Sequence, residues 1–278
     1  MTERNIPSLN KAIQNATSVP EIILNQVEIL RNERNDIHLS IFANKLVNYY
    51  KYITDRDLLE KQREHFEAFY KELNDIYEDM LFRISGRRKS LLSAYKKLWN
   101  SSSDATLKDI SGFRITLFGN NPKELVNQCY LVLQHLFEYS IKNGFLPCIA
   151  EKPKNTKGFA PEEHPDVFIP DTIPLSKEIQ PYVKDYVQTP KENGYQSLHI
   201  IFKDSELNYF EVQIRTIYMH MVAEFGKAAH DEHKAQYANL DIDRESIRIP
   251  GYYIQDGKLY DWVGFEESLE ILRRQKTY

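Results

Sequence analysis

The stretch Lys184-Asp-Tyr-Val-Gln-Thr-Pro-Lys-Glu-Asn-Gly-Tyr-Gln-Ser-Leu-His199 places lysines, an Asn-Gly pair, aromatic rings and a histidine at the start of a predicted strand. Asn-Gly permits a sharp turn, because glycine adopts positive φ without steric cost. The turn can present the ring of Tyr195 so that its face meets a base, as aromatic side chains do in nucleotide sites. Twelve residues past His199, the segment Glu211-Val-Gln-Ile-Arg-Thr216 predicts a second strand that carries a carboxylate. Together the two segments favour a nucleotide ligand over an apolar one.

The composition excludes several classes of protein. The 278 residues are 42% hydrophobic and 27% charged, which is enough to fill a core, and the net charge of −4 argues against a globally basic nucleic-acid binder. The two cysteines, Cys129 and Cys148, have no CxxC spacing, which fits a reducing cytosol and gives no zinc site. The sequence shows no secretion signal and no apolar run that could span a bilayer, so we expect a cytoplasmic protein without a membrane partner.

Periodicity predicts helices in the first part of the chain and strands in the second. The predicted helices cover residues 20–51, 58–84, 123–141, 216–234 and 265–275, and the predicted strands cover 110–118, 197–203 and 209–214. Pro122 suits the first turn of the third helix, Gly144 its end, and Thr216 the cap of the fourth. Residues 145–181 contain seven prolines and no periodic element. Loops of this length are usually functional or disordered.

A basic segment precedes the first predicted strand. Residues 83–103 contain six cations and no acid, and on a helix that begins near Ser90 the side chains of Ser93 and Lys97 share a face. Cations beside the exposed amides of a helix start can bind a polyphosphate. Taken alone, the segment is better explained as a solvated basic turn.

Two carboxylates, Asp109 and Glu211, lie at or near predicted strands. Carboxylates on adjacent strands can hold Mg²⁺, which takes oxygen ligands and usually bridges substrate phosphates. For either residue alone, an ordinary structural role is more common, as a strand-edge aspartate for Asp109 and as an ion-paired glutamate for Glu211. The segment His230-Asp-Glu-His233 lacks the further ligands that a metal site or a metal-dependent phosphohydrolase needs.

Four ordered motifs resemble the synthetase domain of the RelA/SpoT family over about residues 60–235. They are residues 86–97, 108–115 and 184–199, and then 211–216 with 219–224 and His230. The resemblance implies an α+β, nucleotidyltransferase-like fold in which helices flank a mixed sheet. We divide the chain into a helical extension (1–57), the synthetase domain (58–240) and a C-terminal segment that packs on it (241–278).

The resemblance also implies pyrophosphate transfer, in which a 3′-hydroxyl attacks the β-phosphorus of ATP and AMP leaves. It assigns Asp109 and Glu211 to catalysis and to Mg²⁺. It assigns ATP binding to Arg87, Lys89, Ser93, Lys97 and Arg114. It assigns the acceptor site to Lys191, Asn193, Tyr195, His199, Gln213 and Arg215.

The motifs leave the acceptor open. The intact Lys191–Tyr195 loop favours GDP or GTP, which would give (p)ppGpp, and no hydrolase or regulatory domain is recognisable, so we expect a small single-domain synthetase. An alternative is a toxin, neutralised by an antitoxin protein, that modifies the 3′-CCA end of tRNA. Its added basic face would comprise Arg83, Arg88, Lys96, Lys152, Lys154 and Lys157. An adenine nucleotide acceptor and an inactive binding module are less favoured options, and the oligomeric state stays open, with a homo-oligomer as one option.

Overall fold

A computed structural model describes residues 56–88, 107–109, 111–165, 167–171, 175–206, 208–225, 252–255 and 258–261, together with helical positions 41, 44, 45, 48 and 49. The remainder of the predicted helix over 20–51 lies outside these residues. So do the helix over 265–275, the segment His230–His233 and the basic segment beyond Arg88. Within the described part of the chain, no helix is both long and apolar enough to cross a membrane.

From residue 56 onward, the described residues form three α-helices and eight strands. The helices are α1 (Arg56–Ile76), α2 (Pro122–Lys142) and α3 (Ile217–Phe225). The strands are β1 (Leu81–Arg88), β2 (Ser111–Phe118), β3 (Leu146–Pro147), β4 (Val183–Asp185), β5 (Leu198–Lys203), β6 (Tyr209–Thr216), β7 (Tyr252–Gln255) and β8 (Lys258–Asp261). Two 3₁₀ turns cover Pro161–Glu163 and Gln180–Tyr182.

The eight strands form one mixed sheet in the order β3-β5-β6-β2-β1-β7-β8, and β4 also pairs with β5. β2 and β6 run parallel, with Gly112 opposite Glu211, whereas the other pairings in the described residues are antiparallel. β5 and β6 form the predicted hairpin, in which His199 lies opposite Gln213. The predicted α+β class, a mixed sheet flanked by helices, is confirmed.

Helix α2 begins and ends at the signals that its sequence predicts. The side chain of Asn121 accepts hydrogen bonds from the amides of Lys123 and Glu124, and Pro122 takes the first turn. Gly144 has a φ of +82° just beyond the helix, a conformation that glycine adopts without strain.

One face of the sheet is apolar and packs against α1 and α2. The ring of Phe66 on α1 stacks on that of Phe113 on β2 with centroids 3.8 Å apart, and meets Phe210 on β6 edge to face at 5.9 Å. All three rings are buried. Burying an aromatic side chain of this kind stabilises a fold by roughly 1.5–3 kcal/mol. These contacts hold α1 against β2 and β6, whose opposite face carries polar side chains.

The prediction of one helix over 58–84 is wrong at its C-terminal end. The chain leaves α1 after Ile76 and turns at Tyr77–Met80, where the Met80 amide donates to the Tyr77 carbonyl. It then enters β1, which pairs with β2 along its whole length. Apolar residues at helical spacing continue as far as Leu81, so pattern alone does not reveal this boundary. Pairing across the sheet overrides local propensity here.

Candidate active site

Alternation along β5 and β6 gives the sheet a second face, which is polar. Successive strand residues point to opposite faces, so Leu198, Ile200, Val212 and Ile214 enter the core while His199, Glu211 and Gln213 emerge on the other side. The register aligns Lys184 of β4, His199, Gln213 and Arg114 of β2 in one row across four strands. We call this row, with Glu211 and Arg215, the polar face. Residues separated by many positions in the sequence thus form one surface.

A continuous chain of hydrogen bonds runs along the polar face. The hydroxyl of Tyr195 lies 2.9 Å from Nε2 of His199, and Nδ1 of His199 lies 2.9 Å from Oε1 of Glu211. The side chain of Gln213 donates to the other oxygen, Oε2, over 2.9 Å. Because a carboxylate only accepts, Nδ1 of His199 carries a proton and donates to Glu211. Nε2 accepts from the Tyr195 hydroxyl when the ring is neutral and donates to the hydroxyl oxygen when the ring is charged. The predicted acceptor ring and the predicted catalytic carboxylate are therefore linked through one histidine.

Glu211 is ionised at neutral pH. Burial on its own would raise the pKa of this carboxyl, but it is outweighed by the charge of His199, by hydrogen bonds from His199 and Gln213 and by the charge of Lys184, which together lower the pKa to about 2. Each carboxylate oxygen has a second lone pair beyond the one used here. Glu211 can therefore accept a hydrogen bond from a hydroxyl group, or bind a cation, without losing its present partners.

The loop from Lys191 to Tyr195, which we call the acceptor loop, is a tight turn. The Gly194 amide donates to the Lys191 carbonyl over 2.9 Å, and the Lys191 amide donates to the Tyr195 carbonyl over 3.1 Å. The side chain of Asn193 accepts from the Tyr195 amide, and Gly194 has a φ of +78°. The Asn-Gly turn predicted from the sequence is thus present.

Two tyrosines surround the ammonium group of Lys191. Its Nζ lies 4.9 Å from the ring centroid of Tyr195 and 5.1 Å from that of Tyr186. Tyr186 also contacts Tyr195 and His199 edge to face, with centroids 5.9 and 5.2 Å away. Sequence analysis missed Tyr186, although it lies in the stretch Lys184–His199. Its signal is a second ring in that stretch, and only the fold shows that this ring faces the first.

Asp185 stabilises the chain that leads into the acceptor loop. Its carboxylate accepts from the amides of Val187 and Gln188 and from the hydroxyl of Tyr130 on α2. Burial raises the pKa of Asp185, and these three hydrogen bonds oppose that rise. Asp185 therefore ties the chain just before the acceptor loop to helix α2.

Arg215 lies deeper than the predicted acceptor residues around it. Its side chain is almost fully buried and donates to Nδ1 of His220 on α3. Burial lowers the pKa of His220, and the charges of Arg215, Arg114 and Arg83 lower it further, so the imidazole is neutral and accepts. Three arginines, Arg215, Arg114 and Arg83, thus place positive charge around His220, and two of them, Arg215 and Arg83, are buried.

A cleft opens beside Glu211 at the edge of the polar face. Lys184, His199, Ile201 and Glu211 line one side, and Lys108, Tyr182 and residues 148–151 line the rest. Asp109 is half-buried and follows Lys108 directly at the start of β2. Because β2 and β6 run parallel, with Ser111 opposite Phe210, this strand start lies beside the start of β6. Backbone register therefore brings the segments that carry Asp109 and Glu211 together.

The predicted ATP residues are described only in part. Arg114 belongs to the polar face, and the backbone of Arg87 pairs with Gly112 on the strand next to Glu211. Lys89, Ser93 and Lys97 lie outside the described residues, so their assignment stays a prediction. In the described ranges, no group of three or more His, Cys, Asp or Glu side chains could hold a metal ion. Two carboxylates with substrate phosphates, the usual Mg²⁺ arrangement, need no such group.

Comparison with known proteins matches part of this face to a known family region. Residues 172–238, which include the acceptor loop, β5 and β6, match the family described as a region found in RelA and SpoT proteins. The resemblance predicted from the four motifs is confirmed.

Individual relatives agree with that match. The chain is 28% identical over 216 residues to the GTP pyrophosphokinase rsh of Brucella melitensis, covering 76% of this chain and 22% of that protein. A chloroplastic protein of Arabidopsis thaliana named as a probable GTP diphosphokinase is 52% identical over 60 residues, covering 22% of this chain and 8% of its own. This chain thus spans about a fifth of the Brucella protein's length. Among solved structures, small alarmone synthetase 2 of Bacillus subtilis superposes with a TM-score of 0.39 at 23% identity, covering 73% of this chain and 84% of that chain.

Proposed function

We propose that the protein transfers the β,γ-pyrophosphate of ATP to the 3′-hydroxyl of GDP or GTP. The observation that carries the proposal is the Tyr195–His199–Glu211 chain, which joins a ring suited to a base to an ionised carboxylate. The relatives named as GTP pyrophosphokinase or GTP diphosphokinase support guanosine nucleotides as the acceptor. Asn193 and Lys191 lie beside the same ring and offer polar contacts to a base or a phosphate.

For this reaction the chain has to position the two substrates and neutralise the charge of the phosphates. The 3′-oxygen of the acceptor bonds to the β-phosphorus of ATP, the bond from that phosphorus to the AMP oxygen breaks, and the hydroxyl proton passes to water. Such transfers depend on alignment and electrostatics. With a pKa of about 2, Glu211 is a weak proton acceptor at neutral pH. We therefore assign Glu211 mainly to orienting the 3′-hydroxyl of the acceptor and to binding a cation.

Asp109 and Glu211 are the residues that would hold Mg²⁺. Their oxygen ligands suit this ion, and the low pKa of Glu211 keeps that carboxylate charged. When bound, the ion would neutralise charge on the triphosphate. Arg114, which is partly exposed on the polar face, would add to that neutralisation from the protein side.

The direct test supplies purified protein with γ-labelled ATP and Mg²⁺, and with GDP, GTP, ATP or deacylated tRNA in parallel. Label in guanosine tetra- or pentaphosphate supports the proposal, whereas label only on tRNA or only on an adenine nucleotide would assign a different acceptor. Asp109→Asn and Glu211→Gln should each abolish transfer while leaving the circular dichroism spectrum unchanged. Transfer by Asp109→Asn at the wild-type rate would remove Asp109 from the site.

A further inference from the structure

A long segment lies against the acceptor loop. It comprises residues 148–165 with 167 and 168, and we call it the strap. The Glu192 amide donates to the carbonyl of Asn155 over 2.9 Å, and the side chain of Gln196 donates to the carbonyl of Phe168 over 2.8 Å. The Lys154 amide donates to the Tyr186 hydroxyl over 3.3 Å. The strap is therefore hydrogen-bonded to residues before, within and directly after the acceptor loop.

His164 makes the most specific of these contacts. Its Nε2 lies 3.0 Å from the carbonyl oxygen of Glu192, so this nitrogen carries a proton and donates. Its ring stacks on Phe159, with centroids 5.4 Å apart and planes at 14°. The ring also fills the space beside Gly194, since a Cβ at Gly194 would lie 2.6 Å from Nδ1 of His164. The imidazole thus touches the turn of the acceptor loop by a hydrogen bond and by close packing.

We infer that His164 is a positioning residue for the acceptor site. It contacts the backbone at Glu192 and Gly194, between Lys191 and Tyr195, whose ammonium group and ring lie 4.9 Å apart. A shift of that backbone would move the ring away from His199 and the ammonium group away from the base. The inference rests on the proposed function only for the identity of the ligand that the loop holds. The role of Gly194 follows as well: its φ of +78° and the adjacent imidazole both disfavour a side chain.

The test compares His164→Ala with His164→Gln, whose side-chain amide can still donate to the Glu192 carbonyl. The first readout is amide hydrogen exchange in the nucleotide-free protein. His164→Ala should speed exchange at residues 191–195, and His164→Gln should restore part of the protection. The second readout is transfer kinetics, in which the loss of one positioning hydrogen bond should raise the acceptor KM roughly three- to tenfold. The ATP KM and kcat should stay within about twofold.

His135→Ala is the matched control, because His135 is hydrogen-bonded to Tyr77 at 2.7 Å on the helical side of the protein. It should change neither loop exchange nor the acceptor KM. A double-mutant cycle adds Gly194→Ala. The part of its effect on the acceptor loop that comes from the steric clash with His164 should be smaller when residue 164 is already alanine.

Unchanged loop exchange in His164→Ala, or faster exchange with an unchanged acceptor KM, would overturn the inference. An equal rise in both KM values would also overturn it, because that pattern indicates general loosening. If the wild-type protein transfers no label, the proposed function fails, and exchange together with the double-mutant cycle still decides whether His164 holds the loop.

Discussion

Replacing Tyr195 by phenylalanine and by alanine separates two contributions to acceptor binding. Phenylalanine keeps the ring but removes the 2.9 Å hydrogen bond to Nε2 of His199. A net hydrogen bond contributes about 1 kcal/mol, so the acceptor KM should rise roughly fivefold. Alanine also removes the stacking surface, which contributes about 1–3 kcal/mol per base. The summed loss of roughly 2–4 kcal/mol corresponds to a 30- to 1,000-fold rise in the acceptor KM.

The assay varies GDP at saturating ATP and then ATP at saturating GDP, with calorimetric titration of GDP alone as an activity-independent check. The ATP KM should move by less than about threefold in either variant. Tyr77→Phe is the control, because it removes a comparable tyrosine–histidine bond, to His135, away from the polar face. Equal losses for phenylalanine and alanine would refute base stacking, and equal changes in the two KM values would show that the ring is structural.

Three further predictions concern stability. Phe66→Ala should cost about 3–5 kcal/mol in urea unfolding because it leaves a cavity in the core, whereas Ile149→Ala, at a position 77% exposed, should stay within about 0.5 kcal/mol. The pKa of Glu211 is lowered from 4.5 to about 2, so its contribution is complete above pH 4.5 and is lost as the pH falls toward 2. Glu211→Gln should therefore flatten the acid unfolding profile in that window by at most roughly 3 kcal/mol. Asn121→Ala should destabilise the protein by about 1 kcal/mol through the lost cap of α2, and a loss equal to that of Asn120→Ala would contradict the capping role.

The sequence predicts the elements whose signals are local. Helix α2 has a cap, a first-turn proline and a terminal glycine, and the hairpin of β5 and β6 has clear alternation, so both appear at nearly their predicted bounds. The first half of β1, residues 81–84, was predicted as helix because its partner β2 lies more than twenty residues away and decides its conformation. β7 and β8 were not predicted, although they extend the sheet beyond β1. The domain boundaries stay predictions.

The site divides in the same way. Tyr195, His199, Glu211 and Gln213 were predicted from motifs, and the sheet register then shows how they meet. The roles of His220 and His164 depend on contacts with other segments, and nothing in their immediate sequence marks them, whereas Tyr186 is marked only as a second ring in the stretch 184–199. In particular, a stretch rich in proline gives no indication of the surface against which it will lie.

The segment between β3 and β4, which carries the strap, is paired at both ends with β5. β3 places Pro147 opposite Phe202 of β5, and β4 places Val183 opposite Ile200 of the same strand. These two attachment points are two residues apart, which is roughly 7 Å along a strand. A segment that leaves and rejoins the sheet at neighbouring residues of one strand can change in length or composition without shifting the sheet. Doubling the length of a flexible loop costs only about 0.6 kcal/mol of closure entropy. The fold thus places an exchangeable segment beside the proposed active site, so grafting this segment between homologous chains is a practical way to test whether it sets nucleotide selectivity while the sheet stays unchanged.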